Sequence, residues 1–150
     1  MLDNNTIFIM IRDALDYKNT ALVNVFGLVE QEIDTVVIAN WLKKESDQQF
    51  QKMADKHLTM FLNGLIIEKR GKKEGTAPVV ESELTNNIVL RKLKIAYNMK
   101  DDDILRTIDS AGKAISKYEL SAFFRKKDHR NYRPCKNQVL RNFLKGLSCQ

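Results

Sequence analysis

The segment HLTMFLNGLI, His57 to Ile66, returns 82 positions later as VLRNFLKGLS, Val139 to Ser148. Both copies spell Leu-x-x-Phe-Leu-x-Gly-Leu, and at the same offset residues 4–68 align with 86–150 without a gap, with 11 of the 65 pairs identical. Most other pairs keep chemical type: Ile11 meets Leu93, Leu22 meets Ile104, Ile38 meets Leu120, Trp41-Leu42 meets Phe123-Phe124, and Phe50 meets Tyr132. An ungapped match of this length reads as tandem duplication of a unit near the size at which a lone domain is marginal.

Each unit reads as helical. In NNTIFIMIRDALDY the apolar Ile7, Phe8, Met10, Ile11, Ala14 and Leu15 recur at three-and-four spacing, with Asn4 or Asn5 as the expected N-cap. A second helix is expected after Asn19, and its copy at the acidic run Asp101-Asp102-Asp103, which suits the positive end of a helix dipole. The third begins at Asp34 or Ser116, where Ser116 and Glu119 have capping-box spacing. The fourth begins at Asp55 or Asn137 and carries the repeated motif; in the first copy it runs on through IIEKRG, where Gly71 follows Lys69 and Arg70. The expected fold is all-α, a tandem duplication of a four-helix unit packed with pseudo-twofold symmetry. Residues 1–70 form the first repeat, 71–84 a polar linker containing Gly75 and Pro78, and 85–150 the second, basic repeat.

A glycine inside a helix costs about 1 kcal/mol relative to alanine. Gly64 and Gly146 at matched positions beside an apolar stripe therefore suggest that another backbone comes close, and the expectation is that the two fourth helices meet near the pseudo-twofold axis. Frayed helix ends are the alternative.

A hydrophobic content of 43% with six glycines and two prolines supports a folded, largely regular chain. No apolar run approaches the roughly 20 residues of a membrane span, and the start MLDNNTIFIMIRDAL lacks a basic region and a cleavage site, so a cytoplasmic location is expected. Cys135 and Cys149 alone make no disulfide framework. The tandem arrangement, with FLNGLIIEKRG closing the first half, NNIVLRKLKIAYNMKDDDIL opening the second and FFRKKDHRNYRPC within it, resembles the YehS-like family of uncharacterised bacterial cytoplasmic proteins built from a duplicated helical domain. That likeness implies architecture and bacterial origin and brings no catalytic residue with it.

Charge separates the copies. Net charge is +6, but residues 1–70 hold 8 Lys/Arg against 10 Asp/Glu, whereas residues 85–150 hold 15 against 6. The densest stretch, RKKDHRNYRPCKNQVLR, contains Arg125, Lys126, Lys127, Arg130, Arg133, Lys136 and Arg141 with His129 and Tyr132 among them. Basic side chains gain affinity for phosphates by counterion release, and an exposed aromatic stacks on a base. RNA or DNA is the partner class expected, with Arg125, Lys126, Lys127, Arg130, Arg133 and Lys136 on phosphates and Tyr132 as the stacking residue. Amides at the start of the fourth helix would add to that setting. Because Tyr132 aligns with Phe50, a core aromatic with its hydroxyl at the rim is the other reading of that residue. A protein-interaction module, with the acidic half of one chain on the basic half of another, is the competing class. The loop SAGKAI is too unspecific to identify a recognition helix.

No catalytic pattern stands out. His57 and His129 do not align in the repeat, and His129, Cys135 and Cys149 lack the paired spacing of a zinc site. Glu45 and Asp47 align with Lys127 and His129, so no carboxylate pair is copied, and GKKEGT lacks a phosphate-loop spacing. The expectation is a binding protein without cofactor or metal.

Overall fold

Eight helices occur among the described residues, and those of the second copy start 82 positions after those of the first. In the computed structural model, residues 1–72, 79–81 and 83–149 are described; the linker expected at 71–84 falls partly outside them, at 73–78 and 82. The first copy forms α1 (Asn4–Leu15), α2 (Asn19–Gly27), α3 (Thr35–Trp41) and α4 (Asp55–Arg70), and the second forms α5 (Asn86–Ala96), α6 (Asp101–Ala111), α7 (Lys117–Phe123) and α8 (Asn137–Ser148). No strand is present among the described residues. Asp34 caps α3, Ser116 and Glu119 close a capping box on α7, and Gly71 ends α4 with φ 84°. Asp16 and Asn98, 82 apart, follow α1 and α5 in the left-handed region with φ 55° and 53°, a conformation that Asp and Asn tolerate.

The halves share one core. Within each copy the fourth helix packs on the second, and between copies α4 lies on α5 while α8 lies on α1, the exchange a pseudo-twofold relation produces. Leu2 N donates to Asn86 Oδ1 at 3.1 Å, and Leu84 N to Asp55 Oδ2 at 3.2 Å, so each copy's leading segment bonds to the other copy. Apolar residues of all eight helices join one buried cluster, which removes them from water together. Its aromatic part is concentrated in the first copy, where Phe8 meets Phe61 edge-on at 4.8 Å and Trp41 at 5.9 Å.

Two sequence expectations are corrected here. The N-cap of α1 is Asp3 and that of α5 is Thr85; the paired asparagines act at long range instead. Asn5 donates to Trp41 O at 3.0 Å and Gln51 O at 2.8 Å and accepts from Met53 N at 2.9 Å. Asn87 repeats the set on Phe123 O at 3.0 Å, Arg133 O at 2.9 Å and Cys135 N at 2.8 Å. Asn4 and Asn86 donate to the carbonyls of Met53 and Cys135 and to the side chains of Asp55 and Asn137, which begin the fourth helices. Four buried or half-buried amides thus fasten the loop between the third and fourth helices to the first, supplying the partners that buried backbone requires.

The second correction concerns the glycines. Close approach is found, but to a different neighbour. A Cβ on Gly64 would collide with the Val25 carbonyl, and one on Gly146 with the Thr107 carbonyl. Val25 and Thr107 are themselves 82 apart. Each glycine lets the fourth helix settle against the second helix of its own copy rather than marking a meeting of the two fourth helices.

Candidate nucleic-acid interface

The loop between the third and fourth helices has one backbone and two chemistries. In the first copy Asp47 N bonds to Lys44 O at 2.9 Å, Phe50 N to Asp47 O at 3.1 Å and Gln51 N to Asn40 O at 3.1 Å. In the second, His129 N bonds to Lys126 O at 2.9 Å, Tyr132 N to His129 O at 2.9 Å and Arg133 N to Ala122 O at 3.2 Å, the same three bonds moved by 82. Even the turn side chain is matched: Asp47 Oδ1 accepts from Gln49 N at 2.7 Å, and His129 Nδ1 accepts from Asn131 N at 3.0 Å. His129 therefore has a structural task, standing in for a turn-forming aspartate. On this shared frame residues 42–54 carry 3 Lys/Arg and 2 Asp/Glu, and residues 124–136 carry 6 and 1.

Arg125, Lys126, Lys127 and Tyr132 line a groove of about 850 Å³ together with Arg91 and Ile88 of α5 and with Val79, Val80, Glu81 and Glu83. Arg91 is a contributor that the sequence reading missed; its guanidinium reaches Phe124 O at 3.4 Å, which places it beside the loop. Arg125 also lines a second groove, of about 340 Å³, with Arg133 and Tyr118. Arg130 and Lys136 are exposed on the same loop but line neither groove. Tyr132 is half-buried and stands outside the main apolar cluster, so its ring is a wall of the groove rather than part of the core. The side chain of Lys136, the N-cap of α8, makes no capping hydrogen bond.

The groove also carries acid. Glu81 is paired with Lys92 at 3.2 Å, and Lys92 Nζ donates to Asn63 Oδ1 at 2.7 Å while Asn63 Nδ2 donates to Val79 O at 2.9 Å. Lys92 is buried where its counterpart is Met10, so this part of the second half's basic surplus is engaged internally. Glu83 remains exposed. Lys94 lies over the Phe124 ring at 4.6 Å and pairs with Asp101 at 2.9 Å. Neither lysine is placed to hold an external phosphate.

Other chemistry is sparse. Cys135 is buried under the Asn87 clamp, and burial pushes its thiol up to about 12; Cys149 is exposed and free. His57 packs on Trp41 at 5.2 Å, and burial, aided by Lys56, lowers its pKa. Among the described residues no three His, Cys, Asp or Glu side chains gather as metal ligands, and no helix is long and apolar enough to cross a membrane.

The chain is 44% identical over 149 residues to a protein of Escherichia coli (strain K12) named "Uncharacterized protein YehS", covering 98% of this chain and 95% of that one. No solved structure matches this chain. A family described as "Protein of unknown function (DUF1456)" matches twice, at residues 4–71 and 86–150, and these two ranges contain α1–α4 and α5–α8. The chain is a member of this DUF1456 family, with one family unit in each half.

Proposed function

We propose that the protein binds nucleic acid through its second copy, holding the phosphate backbone with Arg125, Lys126 and Lys127 beside Arg91, and with Arg130, Arg133 and Lys136 extending the basic surface along the loop. The observation that carries the reading is the gathering of Arg91, Arg125, Lys126, Lys127 and Tyr132 around one groove. These cations come from two separate parts of the chain, and at the matching places the first copy has Ile9, Lys43, Lys44, Glu45 and Phe50. A surface present in one copy while the backbone is kept in both is what a task assigned to that copy would require. The bonded Glu81 leaves the cations in excess over the remaining carboxylate, Glu83. Pairing of acidic and basic halves between chains draws on the same charge asymmetry but gives no role to the groove or to Tyr132.

Fluorescence anisotropy with labelled single-stranded and duplex probes tests the reading. Replacing Arg125, Lys126 and Lys127 together by alanine is expected to weaken binding at least about tenfold. Replacing Lys43 and Lys44, at the equivalent place in the first copy, should leave it within about twofold. Equal losses from the two sets would remove the case for the second copy as the binding half.

A further inference from the structure

Tyr118 is 90% exposed, the most exposed large hydrophobic side chain among the described residues. A lone exposed aromatic would need no explanation, but this one has particular neighbours. Tyr118, Ala122 and Arg125 follow one another at helical spacing along α7 and its end, and all three line the smaller groove with Arg133. The hydrogen bond of Arg133 N to Ala122 O, at 3.2 Å, holds the returning loop against that face. The Arg133 guanidinium is oriented by two backbone carbonyls, Arg130 O at 3.2 Å and Tyr132 O at 2.8 Å. Arg125 makes no hydrogen bond or ion pair among the described residues, so its charge is uncommitted. Among the described residues lining this groove the one carboxylate is Glu119, which accepts from Ser116 N at 3.3 Å and is occupied in capping α7.

Arg125 belongs to both grooves, which makes it a ridge between two aromatic rings: Tyr132 on one side and Tyr118 on the other. At these places the first copy has Lys43, Phe50 and Val36, and Gln51 where Arg133 stands. From this we infer that the partner is a single-stranded nucleic acid, whose backbone crosses Arg125 while unpaired bases stack on Tyr132 and Tyr118, with the oriented Arg133 plane beside the second. A duplex keeps its bases stacked on one another and has no free face to offer these rings, whereas aromatic platforms along a cationic path are the usual means of holding a single strand without reading its sequence. The inference rests on the phosphate-binding reading above and specifies the strand it takes.

The test separates bases from phosphates. Anisotropy is measured with labelled oligothymidylate, oligouridylate, a duplex, and a single strand of the same length made of abasic sites. Each stacked base is worth roughly 5- to 150-fold, so with two of them wild-type protein is expected to bind the best intact single strand at least about 30-fold more tightly than the abasic strand. Tyr118→Val, which installs the first copy's residue at a solvent-exposed position, should weaken binding of that strand about fivefold or more and leave the abasic strand and duplex unchanged. Tyr118→Phe, which keeps the ring, should bind as wild type does; matching melting curves would confirm that all variants are folded. Unchanged affinity of Tyr118→Val for every intact single strand, or equal wild-type affinity for intact and abasic strands, would overturn the stacking inference while the triple alanine variant still reports on phosphate binding. Absence of binding to all four probes at low salt would overturn both and leave the exposed ring and guanidinia as a surface for a protein partner.

Discussion

Replacing Asn87 with alanine should cost the protein on the order of 3 kcal/mol of stability and free the basic loop from its frame. The amide is 4% exposed and serves three backbone groups at once: the carbonyls of Phe123 and Arg133 and the N–H of Cys135. Alanine removes both donors and the acceptor without filling their space, so groups held away from water lose their partners, at about 1–3 kcal/mol for each one left unsatisfied. Some relaxation toward solvent limits the total, which is why the sum of three full penalties is not expected. Asn87→Asp keeps an acceptor for Cys135 N but sets a carboxylate against two carbonyl oxygens, and should rescue little. Urea unfolding gives the answer through the midpoint at constant slope. A change below about 0.5 kcal/mol would mean that the clamp contributes little to stability.

Gly146→Ala should also destabilise, by about 2 kcal/mol, although helix propensity alone predicts a gain of about 1 kcal/mol. The deciding term is steric. The new methyl would meet the Thr107 carbonyl and, at 2.8 Å, Thr107 Cγ2. A backbone oxygen cannot rotate aside, so α8 and α6 must separate and loosen the apolar packing around Ile108 and Leu147. Gly64→Ala meets Val25 in the same way and should behave alike. Thermal unfolding of both variants checks this, and a raised midpoint in either would show that the helices are not in close backbone contact there.

These two positions also show where the sequence was informative and where it was mute. Apolar spacing, kept by the duplication, placed the start of each of the four helices in both copies to within a residue or two, although it misassigned the cap of the first. The gapless offset also reported that the fourth helix needs a residue without a side chain. It could not report which backbone comes close, since a glycine has the same spelling whether it faces its own copy or the other. Asn4 and Asn5 suggest a cap because an asparagine before a helix has a local use; the actual partners of this pair and of Asn86-Asn87 lie 36 to 84 residues away and depend on the tertiary fold. Within the candidate interface, the run at 125–127 was visible as charge density. Arg91 and Tyr118 were missed because each is isolated in sequence and reaches the site through packing. The available signal was the difference between copies: Arg91 stands where the first copy has Ile9, and Tyr118 where it has Val36. Counting charge by halves, in turn, overstated the surface, since Lys92 is engaged by Glu81 and Asn63.

The central claim is that phosphate neutralisation at the second copy's loop holds a nucleic acid, and the dependence of affinity on salt tests it most directly. Log affinity of the wild-type protein for a single strand should fall linearly with log salt concentration, and the Arg125, Lys126 and Lys127 triple alanine variant should show a slope smaller by about 2, near 0.7 for each phosphate no longer neutralised. A wild-type affinity indifferent to salt, or the same slope in the triple variant, would contradict the assignment of these three residues to the phosphate backbone.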